Sequence, residues 1–120
     1  MKARLSVFAA LVLYGPALLA NDFPTQARVE YVLACMAANG GQSYDTLYAC
    51  VCAVDRIAEQ IPYREYEQSQ VLTYLRRTPG ERGGVFRDAA PNSRSRVARL
   101  AQIGGEAERS CSVRAVRQQK

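Results

Sequence analysis

Apolar residues recur at spacings of three and four along most of the chain, and no stretch alternates strictly, so the pattern predicts helices and no strands. Val29, Val32, Cys35 and Met36, with Leu33 widening the stripe, predict a first helix from Pro24-Thr25 to about Asn39, with Thr25 as its N-cap. Asn39-Gly40-Gly41 ends it, because both residue types accept the left-handed conformation at a helix C-terminus. Ser43 can cap a second helix from about Tyr44 to Gln60, whose face of Leu47, Cys50, Val51, Val54, Ile57, Ala58 and Ile61 is the most regular in the chain. The short link between the two predicts an antiparallel hairpin.

Pro62 breaks that pattern and suits the first position of a third helix, from about Tyr63 to Arg77, carrying Tyr63, Tyr66, Val71, Leu72, Tyr74 and Leu75. Residues 78–91 read as a loop, with turn signals at Pro79-Gly80 and Gly83-Gly84 and an apolar pair, Val85-Phe86, that packs back on the core or meets a partner. Asn92 or Ser93 can cap a last helix bearing Val97, Leu100, Ala101, Ala107 and Cys111 on one stripe. Gly104-Gly105 weakens its middle and predicts a bend or a close helix contact. Residues 113–120 read as a frayed, disordered basic tail. The expected fold class is therefore all-α, a small four-helix bundle with two disulfides.

The disulfides follow from compartment. Residues 1–20 have a positive start at Lys2 and Arg4, an apolar core over Leu5–Leu13 and a small residue at Ala20, the parts of a secretory signal. Gly15-Pro16 breaks the run, which is short for a bilayer core of about 30 Å. Cleavage leaves 21–120 as a single domain without a transmembrane segment, located in the periplasm. Outside the cytosol, Cys35, Cys50, Cys52 and Cys111 are expected to pair. Cys50 and Cys52 point about 200° apart on a helix, so they do not bridge each other. Levels in the hairpin favour Cys35–Cys50 with Cys52–Cys111, while the crossed pairing, Cys35–Cys52 with Cys50–Cys111, stays open.

Composition narrows the chemistry. The chain has no His and no Trp, which removes the usual neutral-pH base, the usual zinc ligand and the axial ligand of most haems. No haem and no enzymatic activity are expected. The 16 basic and 11 acidic residues become 14 and 11 once Lys2 and Arg4 leave with the signal, a net charge of +3. Arg94, Arg96, Arg99, Arg109, Arg114, Arg117 and Lys120 carry much of the excess. Nucleic acid is not expected as a partner of an exported protein.

Carboxylates are the remaining candidates. Asp55 and Glu59 share a face of the second helix, and Glu65 and Glu67 begin the third just past the Pro62 corner. Convergence of these four would suit a hard cation such as Ca²⁺ or a lanthanide. The competing expectation is a solvated face paired with Arg56 and Arg64. Tyr63, Tyr66 and Tyr74 fall near one side of the third helix, and with Val85 and Phe86 they form a candidate protein interface. Cys50-Val51-Cys52 as a redox or copper motif is a third, weaker class.

The run Asp22–Leu33, then Cys35-Met36-Ala37-Ala38-Asn39-Gly40, Cys50–Asp55 and Pro79–Asp88 resembles the LanD-like small periplasmic proteins of methylotroph-type bacteria, found near quinoprotein alcohol dehydrogenases and lanthanide-handling genes. The resemblance implies an accessory protein of periplasmic alcohol oxidation that binds lanthanide through carboxylates near Asp55, Glu59, Glu65 and Glu67, with sharing across a homodimer open. The chain departs from that family where Gln68 and Gln70 stand in place of acids, and neutral amides bind trivalent ions more weakly. The alternative is a metal-free protein–protein interaction module of the periplasm.

Overall fold

The computed structural model describes residues 21–87 and 91–118, with the side chains of Arg82, Phe86, Arg87, Pro91 and Arg117 outside that description. The expected export segment, residues 1–20, lies outside the described residues. All regular structure among the described residues is helical: α1 (Thr25–Ala38), α2 (Tyr44–Gln60), α3 (Tyr63–Arg77), α4 (Glu81–Arg87), α5 (Pro91–Ser110) and α6 (Val113–Gln118). The bounds of α2 and α3 are those the apolar pattern predicts.

Helix α2 is the centre. Its periodic face buries Ala49, Cys50, Ala53, Val54, Ile57 and Ala58, and Val54 and Ile57 are within 1% of full burial. Each such side chain contributes about 1.5–3 kcal/mol through removal of apolar surface from water. Ser43 starts the helix by accepting the Thr46 N–H at 3.1 Å. Gly40 and Gly41 reverse the chain before it, at φ 103° and 88°, and the Gly41 N–H closes α1 on the Met36 carbonyl at 2.8 Å. Thr25 is not the cap of α1: Pro24 occupies that position and Thr25 is the first helical residue.

Both disulfides radiate from α2. Cys35–Cys50 ties it to α1 and Cys52–Cys111 ties it to the end of α5, with Cα separations of 5.9 and 5.8 Å. This is the favoured pairing, and it arises because Cys50 and Cys52 leave opposite sides of one helix. Helix α1 packs on α2, α2 on α5, and α5 on α3, while α1 and α3 share no comparable contact. The chain thus folds as a row bent around a core, and a groove opens between its two end helices.

Two elements differ from the sequence pattern. The expected loop 78–91 contains the short helix α4, packed on α3, with Gly83 buried and the glycine pair inside the helix rather than in a turn. Val85 stays 69% exposed and is not a core anchor. The expected frayed tail forms α6: Ser112, at φ 58°, turns the chain, and Val113 is driven fully into the core against α2. Among the described residues there are six helices rather than four, with Asn92 and Ser93 inside α5 rather than capping it. Gly104 and Gly105 lie within an unbroken helix, and a Cβ on Gly104 would meet nothing within 4 Å, so no close contact requires it. None of the helices among the described residues is long and apolar enough to cross a membrane.

Candidate functional site

The four carboxylates singled out by sequence do not converge. Asp55 on α2 is paired across the hairpin with Arg28 of α1. Glu59 pairs with Arg56 one turn earlier, at 3.3 Å. Glu65 pairs with Arg99 of α5 at 2.8 Å. Only Glu67 lacks a basic partner among the described residues, and it faces a different space. The reason is register: the Asp55–Glu59 face of α2 turns toward α1 and solvent, while the start of α3 turns toward α5. Among the described residues no group of three or more His, Cys, Asp or Glu could hold a metal ion.

The groove between α1 and α3 has a different character. It encloses about 490 Å³, lined on α1 by Ala27, Glu30, Tyr31 and Ala34, on α3 by Tyr63, Tyr66, Glu67 and Gln70, and at its end by Glu108 of α5. Small residues on α1 leave the room. Its aromatic wall is held from behind by Phe23, whose ring lies 5.4 Å from Tyr63, edge-on, and 4.9 Å from Tyr66. Phe23 is buried, and the chain around it is fixed by Asp22, whose carboxylate accepts the Tyr63 N–H. Behind α1, the Cys35–Cys50 bridge locks the opposite wall.

The electrostatics of this groove come from its carboxylates and phenols. Glu30 accepts only a neutral partner, the Gln26 amide, at 2.8 Å. Glu30, Glu67 and Glu108 have no arginine or lysine partner among the described residues, whereas Asp55, Glu59 and Glu65 each have one. The phenols register the same field. Burial, then the carboxylate of Glu108 and the Tyr66 phenol, push Tyr31 well above the ordinary tyrosine range. Burial, Tyr63 and Glu30 push Tyr66 up to about 12, and burial, Glu67 and Glu30 raise Tyr63. The groove therefore presents three neutral aromatic rings and three uncompensated carboxylates.

Of the candidate interface residues, Tyr63 and Tyr66 line this groove, and Tyr66 is only 4% exposed, so it is a wall of the core rather than a free surface. Tyr74 lies beyond the groove and is exposed, as is Val85, and the side chain of Phe86 lies outside the described residues. Sequence reasoning missed Glu30, Tyr31 and Glu108, which sit on two separate helices and read singly as ordinary solvated or core-edge positions. Their one legible signal was the absence of an arginine three or four residues away from Glu30 on α1. Cys50 and Cys52 each bond to a different helix, so the Cys50-Val51-Cys52 segment is not a dithiol pair. No protein family, curated protein or solved structure matches the chain.

Proposed function

We propose that this chain is a periplasmic binding protein that captures a cation in the groove between α1 and α3. In this reading the leading residues are an export signal, the four longest helices act as a bundle holding the groove open, and the protein performs no catalytic step. The carrying observation is that Glu30, Glu67 and Glu108, none with a basic partner among the described residues, rim one concave aromatic space, while Asp55, Glu59 and Glu65 are each held by an arginine. A low-dielectric, aromatic wall strengthens the attraction of such a site for positive charge. The accessory role in alcohol oxidation that the resemblance implies attaches to this groove rather than to Asp55 and Glu59, which are held by arginines.

Calorimetric titration at low ionic strength tests it, with Ca²⁺, Tb³⁺ and a simple alkylammonium salt as ligands. Binding that is lost in the Glu30→Gln/Glu67→Gln/Glu108→Gln variant and kept in Asp55→Asn supports the site. Absence of binding by every cation contradicts it.

A second reading, a metal-free protein–protein module, is favoured by a separate observation. Large apolar side chains remain exposed on the hairpin and α3, among them Val29, Leu33, Tyr44, Tyr48 and Tyr74. Under that reading a periplasmic partner is retained in chelator and released by Leu33→Glu or Tyr48→Glu.

A further inference from the structure

The shape of the groove discriminates among cations. A bare metal ion needs several oxygens brought to about 2.3–2.6 Å of one point, and no three ligating side chains of the described residues are so arranged. Glu30, Glu67 and Glu108 come from three different helices and rim a space of about 490 Å³ rather than meeting at its centre. That volume falls in the range of pockets for small organic ligands, about 300–1,000 Å³. Its walls are Ala27, Ala34 and the rings of Tyr31, Tyr63 and Tyr66, surfaces that solvate carbon rather than a hydrated ion.

The rings form an aromatic lining. Tyr63 and Tyr66 lie 6.3 Å apart at 32°, both set by Phe23, and Tyr31 lines the same groove from α1. A face of an aromatic ring attracts an alkylated ammonium through its quadrupole, and the attraction grows when water is excluded. Surrounding carboxylates complement the same charge at longer range without needing contact.

We propose, building on the cation-binding reading of this groove, that its ligand is an organic ammonium ion whose positive head lies among Glu30, Glu67 and Glu108 and whose alkyl groups rest on Tyr31 and Tyr63, with Tyr66 as the wall behind them. The class is that of methylated or quaternary amines. The Gln70 amide, which donates to the Tyr66 hydroxyl at 2.5 Å, holds that ring in place, and the Asn39 amide at the groove's end is spent on the Cys35 carbonyl at 2.8 Å.

The test uses the disulfide-bonded protein, with choline, its uncharged tert-butyl analogue, Ca²⁺ and Tb³⁺ titrated separately by calorimetry and by amide chemical shifts. Choline is expected to bind and to shift amides of α1 and α3, the uncharged analogue at least about tenfold more weakly. Glu67→Gln and Tyr63→Leu, both checked for an unchanged melting transition, are expected to weaken choline by about tenfold each. Metal binding in the groove without choline binding overturns the ammonium assignment and leaves the cation site standing. Equal binding of the uncharged analogue, or binding of none of the four, overturns both.

Discussion

The carboxylate of Asp22 accepts the backbone N–H of Tyr63 at 3.0 and 3.1 Å, across a sequence separation of 41 residues. Helix α3 begins after Pro62, which has no side-chain acceptor, so its N-terminus is capped from another part of the chain. The same contact places Phe23 behind Tyr63 and Tyr66, and so builds one wall of the groove.

Asp22→Ala is therefore expected to cost about 1 kcal/mol, the usual value of an N-cap, and to fray the first turn of α3. Hydrogen exchange at Tyr63–Tyr66 should speed up while exchange in α2 is unchanged, and Asp22→Asn should restore most of the protection. Equal loss of protection in α2 would show that the contact is not local.

Cys52–Cys111 and Val113 together fasten the last turn of α5 and all of α6 to α2. The bridge closes a sequence separation of 59 residues and the hairpin bridge one of 15, worth roughly 4 and 3 kcal/mol on the chain-entropy account. Replacing Cys52 and Cys111 by Ser should release α6 first and leave the α1–α2 hairpin protected in native-state exchange. Val113→Ala should cost about 2 kcal/mol, from lost burial and the cavity left behind. A cost below about 0.5 kcal/mol, the range of ordinary surface substitutions, would mean that the tail is not docked.

The hairpin, the bounds of α2 and α3, and the pairing of the cysteines were legible because each rests on local signals: Asn39-Gly40-Gly41, Ser43, Pro62 and a strong 3.6-residue period. Helices α4 and α6 were not, because α4 runs through Gly83-Gly84 and α6 is six residues long, and tertiary packing, of α4 on α3 and of α6 on α2 and α5, holds them. Tyr63, Tyr66 and Glu67 were recognised as unusual. The groove was not, since it exists only where α1 and α3 face each other without packing, a relation between helices that no local pattern encodes.

Gly104 offers a direct check on α5. Its Cβ position is open space within a continuous helix, so Gly104→Ala should stabilise the protein by about 1 kcal/mol through backbone entropy. A destabilised variant in thermal unfolding would instead point to a close contact at that position.

The tyrosines give the pH dependence. Tyr66 ionises near 12 in the folded protein against 10 when unfolded. A raised acid keeps its proton in the native state while the unfolded chain loses it, so its contribution is intact below pH 10 and is lost as pH climbs toward 12. Urea midpoints should be flat up to pH 10 and fall above it, and Tyr66→Phe should shrink the fall. Absorbance titration should show Tyr31 and Tyr66 ionising above the ordinary tyrosine range, and a bound cation should bring both down.

The most direct test of the groove as the ligand site is amide chemical-shift mapping with saturating choline on the oxidised protein. Perturbations confined to Glu30–Asn39, Tyr63–Gln70 and the neighbourhood of Glu108 are the predicted result. Shifts centred on Asp55 and Glu59, or none at any residue, would contradict it.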